Sequence, residues 1–255
     1  MFKILSAILV LSSALSANAR VFDFGDESLS VFFGGSAGYS DLYQGAFKNS
    51  SGSQTTSFSE GVTYNQSFEL GASLKIRTVT FKFGAEILQT NSLTDVSGKN
   101  SSGAELMKLD SKVFVFNPNM VVEVDLMQGP QSRSFIGFGI GLAEVDVDNT
   151  YELTSAGTTA YSPVSNYIDE TGGSTISYSI HFGQEMHFTD NVTFLYNLGY
   201  RVMEFDSLEY DTAVTSFQGS TTKGARAKFN DGTDRTLDMS SLFLGIAFRF
   251  YMSRP

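Results

Sequence analysis

The sequence predicts an all-β fold: a transmembrane antiparallel up-and-down β-barrel of about eight strands, with four long loops gathered at one end. Three observations predict it. Long segments alternate apolar residues with small or polar ones at a period of two. The face opposite the apolar one is built from Gly, Ser and Ala, not from the Lys, Glu and Thr of a solvated sheet. Short reversals also alternate with long connections along the chain. Composition agrees: the 255 residues include 23 Phe, 11 Tyr and 24 Gly but only 4 Pro, and 42% are hydrophobic against 17% charged. So many aromatics exclude a disordered chain. The absence of Cys excludes disulfides and thiolate metal sites. A formal charge of −10 argues against a nucleic-acid partner.

Residues 1–19 read as a cleaved signal peptide, with Lys3 before a short apolar run and Ala17-Asn18-Ala19 as a small-x-small cleavage site. Residues 20–255 are then the barrel. The strands are expected at Ser28 to Tyr39, Thr63 to Ile76, Val79 to Thr90, Lys112 to Leu126, Ser132 to about Asp148, Ser174 to Phe188, Val192 to Phe205, and about Thr236 to Tyr251. The fifth is the clearest: Ile136, Phe138, Ile140 and Leu142 alternate with Gly137, Gly139, Gly141 and Ala143. Arg77-Thr78, Gln128-Gly129-Pro130 and Asp190-Asn191 supply short turns. The long connections fall at about 40–62, 91–111, 149–173 and 207–235. A face this small and sparsely charged suits a narrow interior rather than the wet side of a sandwich.

The chain resembles the small outer-membrane β-barrel proteins of Gram-negative bacteria, of the OmpA-transmembrane, OmpX and OmpW type. Its C-terminal strand, Phe243 to Phe250, is similar to that family's assembly signal, with Gly245, Phe248 and Phe250 at the matching positions. Phe243 stands where the signal has a polar residue, and five residues follow Phe250. The resemblance implies an outer-membrane location, contact with membrane lipid and lipopolysaccharide, and recognition by the barrel-assembly machinery. It implies no cofactor.

Read with both chain ends on the periplasmic side, the inward faces place Lys75, Lys82, Glu86, Glu123, Asp125, Arg133, Glu185, His187 and Arg249 in the lower lumen, with Arg201 and His181 above them. Opposite charges at similar depth are expected to pair. The upper lumen is lined by Gly34, Ser36, Gly38, Asn117, Gly139, Gly141, Ser179 and Gly199. Two readings follow: a water-filled vestibule above an ion-pair plug, or a continuously packed interior. Glu144, Asp146, Asp148, Glu152, Asp169 and Glu170 form an acidic group that reads either as a cation cluster or as a solvated loop, without a calcium-loop motif. The bases Lys223, Arg226, Lys228 and Arg235 of the fourth loop are candidates for lipopolysaccharide phosphates. Gln184 and Pro118 fall on the lipid face, which marks either a homo-oligomer contact or a local bulge. His181 and His187 lie too far apart on one strand to share a metal, and no catalytic group is expected. The favoured reading is a structural, surface-interacting barrel acting through its loops. The alternative is a narrow porin-like channel for small or cationic solutes.

Overall fold

The computed structural model describes residues 24, 28–48, 51–55 and 57–252; the signal-peptide segment lies outside them. Eight long strands carry the fold: β1 (Leu29–Tyr43), β2 (Val62–Ile76), β3 (Val79–Thr90), β4 (Glu105–Gln128), β5 (Ser132–Leu153), β6 (Tyr167–Thr189), β7 (Val192–Val202) and β8 (Ser241–Tyr251). Each pairs antiparallel with its sequence neighbour, and β8 pairs back onto β1, from Ser30↔Tyr251 to Tyr39↔Leu242. The sheet therefore closes and no barrel edge is left open. The start of β1, the end of β8 and all three short turns share one end, called lower here. Every long connection is at the other.

The outside of the lower two-thirds is apolar. On β5, Phe138, Ile140 and Leu142 are exposed; on β6, Ile176, Tyr178, Ile180 and Phe182; on β8, Leu242, Leu244 and Ile246. About ten residues per strand at ~3.3 Å rise, tilted by about 40°, give a belt about 25 Å tall, the height of a bilayer's hydrocarbon. Aromatic girdles bound it. Below, Phe33 stacks on Phe250 at 5.7 Å, and Phe248 meets Phe33, Phe188 and Phe194. Above, Tyr39 and Tyr64 are direct cross-strand partners, and Leu242 links Tyr39 to Tyr200. These are the marks of a transmembrane barrel, in which strands make the crossing. Among the described residues no helix is long and apolar enough to cross.

Three strands run well past the expected ends. β4, β5 and β6 have 24, 22 and 23 residues, so much of the segments 91–111 and 149–173, read from sequence as loops, is strand. Their tops stand above the belt as a tall ribbon. Strand Leu93–Lys99 lines the free edge of β4, and Glu209–Tyr210 adds to β6. The helix α1 (Ser155–Ala160) is capped by Thr154, whose Oγ1 accepts from Gly157 N at 3.1 Å. Loops fold against this ribbon and make a second body, the head.

Pro118 sits in a continuous register. β4 and β5 pair as Phe116↔Glu144 and then Asn119↔Gly141 with no residue gained or lost. The bulge expected there is absent; only the local ladder bond is missing, as proline requires.

Candidate functional site

Inward side chains of the barrel form a charged plug. Arg133, from β5, donates through Nε to Glu185 Oε2 at 2.7 Å, through Nη2 to Glu123 Oε2 at 2.7 Å, and through Nη1 to Asp125 Oδ1 at 2.6 Å and Thr80 Oγ1 at 3.0 Å. Arg249, from β8, meets the same carboxylates: Nη1 donates to Glu185 Oε2 at 3.0 Å and Nη2 to Glu123 Oε1. Tyr251 donates to Glu185 Oε1 at 2.8 Å, and Thr193 donates to the same oxygen. Lys75 bonds Asp125 at 2.8 Å and Gln128 at 3.0 Å. Higher up, Lys82 pairs with Glu69 at 3.4 Å and lies 4.5 Å over the Phe32 ring, while Arg201 pairs with Glu86. Five carboxylates thus meet five cations across the lumen. Balance of this kind is what makes burial of so many charges tolerable. Phe24 packs edge-on against Tyr251 at 6.2 Å, and the two form a small buried pair.

Every expected plug residue lies inward. Arg133, Glu123, Glu185 and Arg249 are almost fully buried. His181 is buried outside the ion pairs, between the rings of Phe135 and Phe243 at 6.0 and 6.4 Å. Glu69, Thr80, Thr193 and Tyr251 complete the network and were not singled out from the sequence. All four have the inward parity of their strands, which was the available signal.

The upper lumen is not an open vestibule. Its glycines are sockets for their neighbours: a Cβ at Gly199 would run into His181 and Phe243, one at Gly38 into Asn65, and one at Gly141 into Asn117. The space left between the plug and the Arg201–Glu86 level is a cavity of about 70 Å³, enough for a few waters. Above it the inward face turns apolar. Leu109, Val113 and Val115 of β4 and Val145 and Val147 of β5 pack with Leu88, Phe47, Met203, Phe205, Leu237 and Met239 into one buried core. The water-filled mouth expected from the small lining residues is thus closed by hydrophobic packing.

The outward face changes at the same height. On β5, Leu142 is followed by outward Glu144, Asp146 and Asp148; on β4, Phe114 is followed by Lys112; on β6, Ile176 by Ser174. The register aligns the β5 and β6 transitions, since Ile176 opposes Leu142 and Ser174 opposes Glu144, while on β4 the apolar face runs two outward positions further, with Phe116 and Phe114 opposing Glu144 and Asp146. Below this level the barrel is apolar outside and polar inside, and above it the reverse.

The six acidic residues do not form one group. Glu144, Asp146, Asp148 and Glu152 face outward on β5, and Glu170 opposes Asp148 on β6. Asp169 has the other parity: it is buried and accepts from Arg235 Nη1 at 2.8 Å. Among the described residues no three His, Cys, Asp or Glu are placed to hold a metal ion. Burial first, then Asp211, Asp148 and Glu144, holds the Asp146 carboxyl above its usual range. Burial and then Glu170 do the same for Asp148, against the pull of Lys112. Arg235, expected among the phosphate-facing bases, is instead buried; its Nη2 also donates to Ala46 O at 2.8 Å, so it ties the first loop, the fourth loop and β6 together. Burial, the largest single influence, lowers its pKa, but Asp169, Tyr151 and Tyr210 together outweigh it and the net shift is upward. Gln184 accepts from the Tyr196 hydroxyl of the neighbouring strand, so its amide is met within the chain. Gly245 faces inward against Asn197, and Phe248 and Phe250 face outward in the lower girdle.

No protein-family model and no curated protein matches the chain. Its structural neighbours are small outer-membrane β-barrel proteins. OprG from Pseudomonas aeruginosa is similar at 12% identity over 89% of this chain and 97% of that chain, with a TM-score of 0.44. Neisserial surface protein A is similar at 12% identity over 87% and 97%, with 0.41. Ail of Yersinia pestis is similar at 11% identity over 88% and 99%, with 0.38. These are likenesses of barrel architecture. The class, defined by the closed ring of eight antiparallel strands and its exposed apolar belt, is an eight-stranded transmembrane β-barrel.

Proposed function

We propose that this chain is an outer-membrane anchor for a folded head that stands outside the cell and makes surface contacts, and that it does not conduct. One observation carries the reading: the inversion of sidedness at the level of Glu144. A pore would keep a polar lumen through its mouth. Here the lumen ends in a hydrophobic core, and the outward face becomes charged where it leaves the bilayer. That geometry suits a barrel whose strands continue upward to build a water-soluble body. The loops of the head, rich in Ser, Thr, Gly and Tyr, are its contact surface.

The test has two arms. Purified protein in a planar bilayer is expected to give no steady current; a stable nanosiemens-scale pore overturns the anchor reading in favour of a channel. An epitope inserted at Gly219, in a turn with open space around it, is expected to be reached by antibody on intact cells. Labelling only after the envelope is broken overturns the outward orientation.

A further inference from the structure

The fourth loop folds into a cleft at the tip of the head, and its lining differs from the rest of the molecule. The cleft has a volume of about 430 Å³ and includes Arg226 and Lys228 but no carboxylate. In a chain of formal charge −10, a lining with two cations and no carboxylate, whose Arg226 is paired with Asp234 outside the lining and whose Lys228 leaves a net positive charge, marks a site for negative charge. Arg226 is also held in place: its Nη1 donates to Asp234, outside the lining, at 2.8 Å. No ion pair engages Lys228 among the described residues.

The remaining lining suits a ring with one apolar face and many hydroxyls. Phe217, Phe229 and Tyr210 present aromatic surface, while Gln218 and Asn230 present amides. Phe217 is fixed from behind, 4.4 Å from Tyr161 and 5.1 Å from Tyr167, ring centre to ring centre. Gln218 is held by Nε2 donation to Lys228 O at 2.8 Å. A lining anchored in this way loses little freedom on binding. The size is that of a small-molecule site, and it takes roughly one disaccharide.

We infer that this cleft binds an anionic saccharide, a sugar unit bearing a carboxylate, with Arg226 and Lys228 on the carboxylate and the aromatic rings against the sugar's apolar face. The inference rests on the surface-contact reading above and names its ligand class. Such a sugar belongs either to a foreign surface or to the lipopolysaccharide of the same membrane.

The experiment is calorimetric titration of the detergent-solubilised full chain with a glucuronate–N-acetylglucosamine disaccharide and with its carboxyl-reduced neutral form. Solubilised protein presents the cleft whether or not the barrel conducts and whichever way it is oriented, so failure here is separate from failure of the anchor reading. Saturable binding is expected, weakened about tenfold or more for the neutral sugar and for Lys228→Gln, as loss of a charged hydrogen bond implies. Lys108→Gln, which removes an exposed cation paired with Asp95 on the outer face of β4, is expected to bind as the parent does. Absence of saturable binding overturns the inference, as does equal binding of charged and neutral sugars, or equal loss in both lysine variants. In a second arm, purified lipopolysaccharide is added as competitor. Competition assigns the ligand to the same membrane, and its absence assigns it to a foreign surface; either result supports the site once the first arm has shown binding.

Discussion

The lower and upper halves of β5 are built from one uninterrupted strand with one parity and opposite chemistry. From Ile136 to Leu142 the outward residues are apolar while Gly137, Gly139 and Gly141 face in; from Glu144 to Glu152 the outward residues are acidic or polar while Val145, Val147 and Tyr151 are buried. The backbone does nothing at the boundary: the ladder to β6 runs unbroken from Met186 to Tyr167. What changes is the solvent. Hydrocarbon outside demands an apolar exterior and leaves polar groups to pair within, whereas water outside restores the ordinary arrangement. Period two therefore specifies the strand, and the phase of its hydropathy specifies the medium around it.

The sharpest way to break the lower half is through its plug. Glu185 accepts from Arg133, Arg249, Thr193 and Tyr251, and Glu185→Ala leaves two buried guanidiniums short of charge. The expected cost is about 3–5 kcal/mol, read as a lower urea midpoint for the shift between folded and unfolded bands on unheated gels. A loss below about 1 kcal/mol would mean that the network is not holding the barrel.

The boundary itself is tested by placing the same residue on either side of it. Phe138→Arg puts a cation into the belt, and Glu144→Arg puts one six positions further along the same face of the same strand. The first is expected to cost about 2–4 kcal/mol in lipid vesicles and the second about 0–1. Equal costs would sink the assignment of the bilayer edge to the interval between Leu142 and Glu144.

The eight strands, their order, the short turns and the inward charges were legible in the sequence, because each depends on alternation within one segment. The head was not. At Ala143 the apolar phase moves by one position, so Val145 and Val147 replace Ile140 and Leu142 as the apolar set; to a reader following one face, that slip looks like the end of a strand. The Asp169–Arg235 pair was hidden for a different reason. The two residues are 66 positions apart, and only folding of the fourth loop across β6 brings them together. An open vestibule followed from counting glycines as empty space, when the cross-strand neighbour fills each socket.

The gentlest probe of the comparison is protonation of the outward carboxylates just above the boundary. Asp146 and Asp148 have raised pKa values in the folded chain, from burial and from the surrounding acids. The folded state therefore binds protons at a higher pH than the unfolded state does. By linkage, the stability of the head rises as pH falls through the folded pKa, and the gain is complete below the unfolded value of about 3.9. Both side chains are largely exposed, so solvent screens the effect and keeps it small. Replacing both by Asn is expected to raise the heat-denaturation midpoint of the head at about pH 7.5, with the advantage over the parent shrinking toward about pH 4. An advantage that grows on acidification would show that these carboxylates are stabilised in the fold, and that the acidic face is not strained by its own charge.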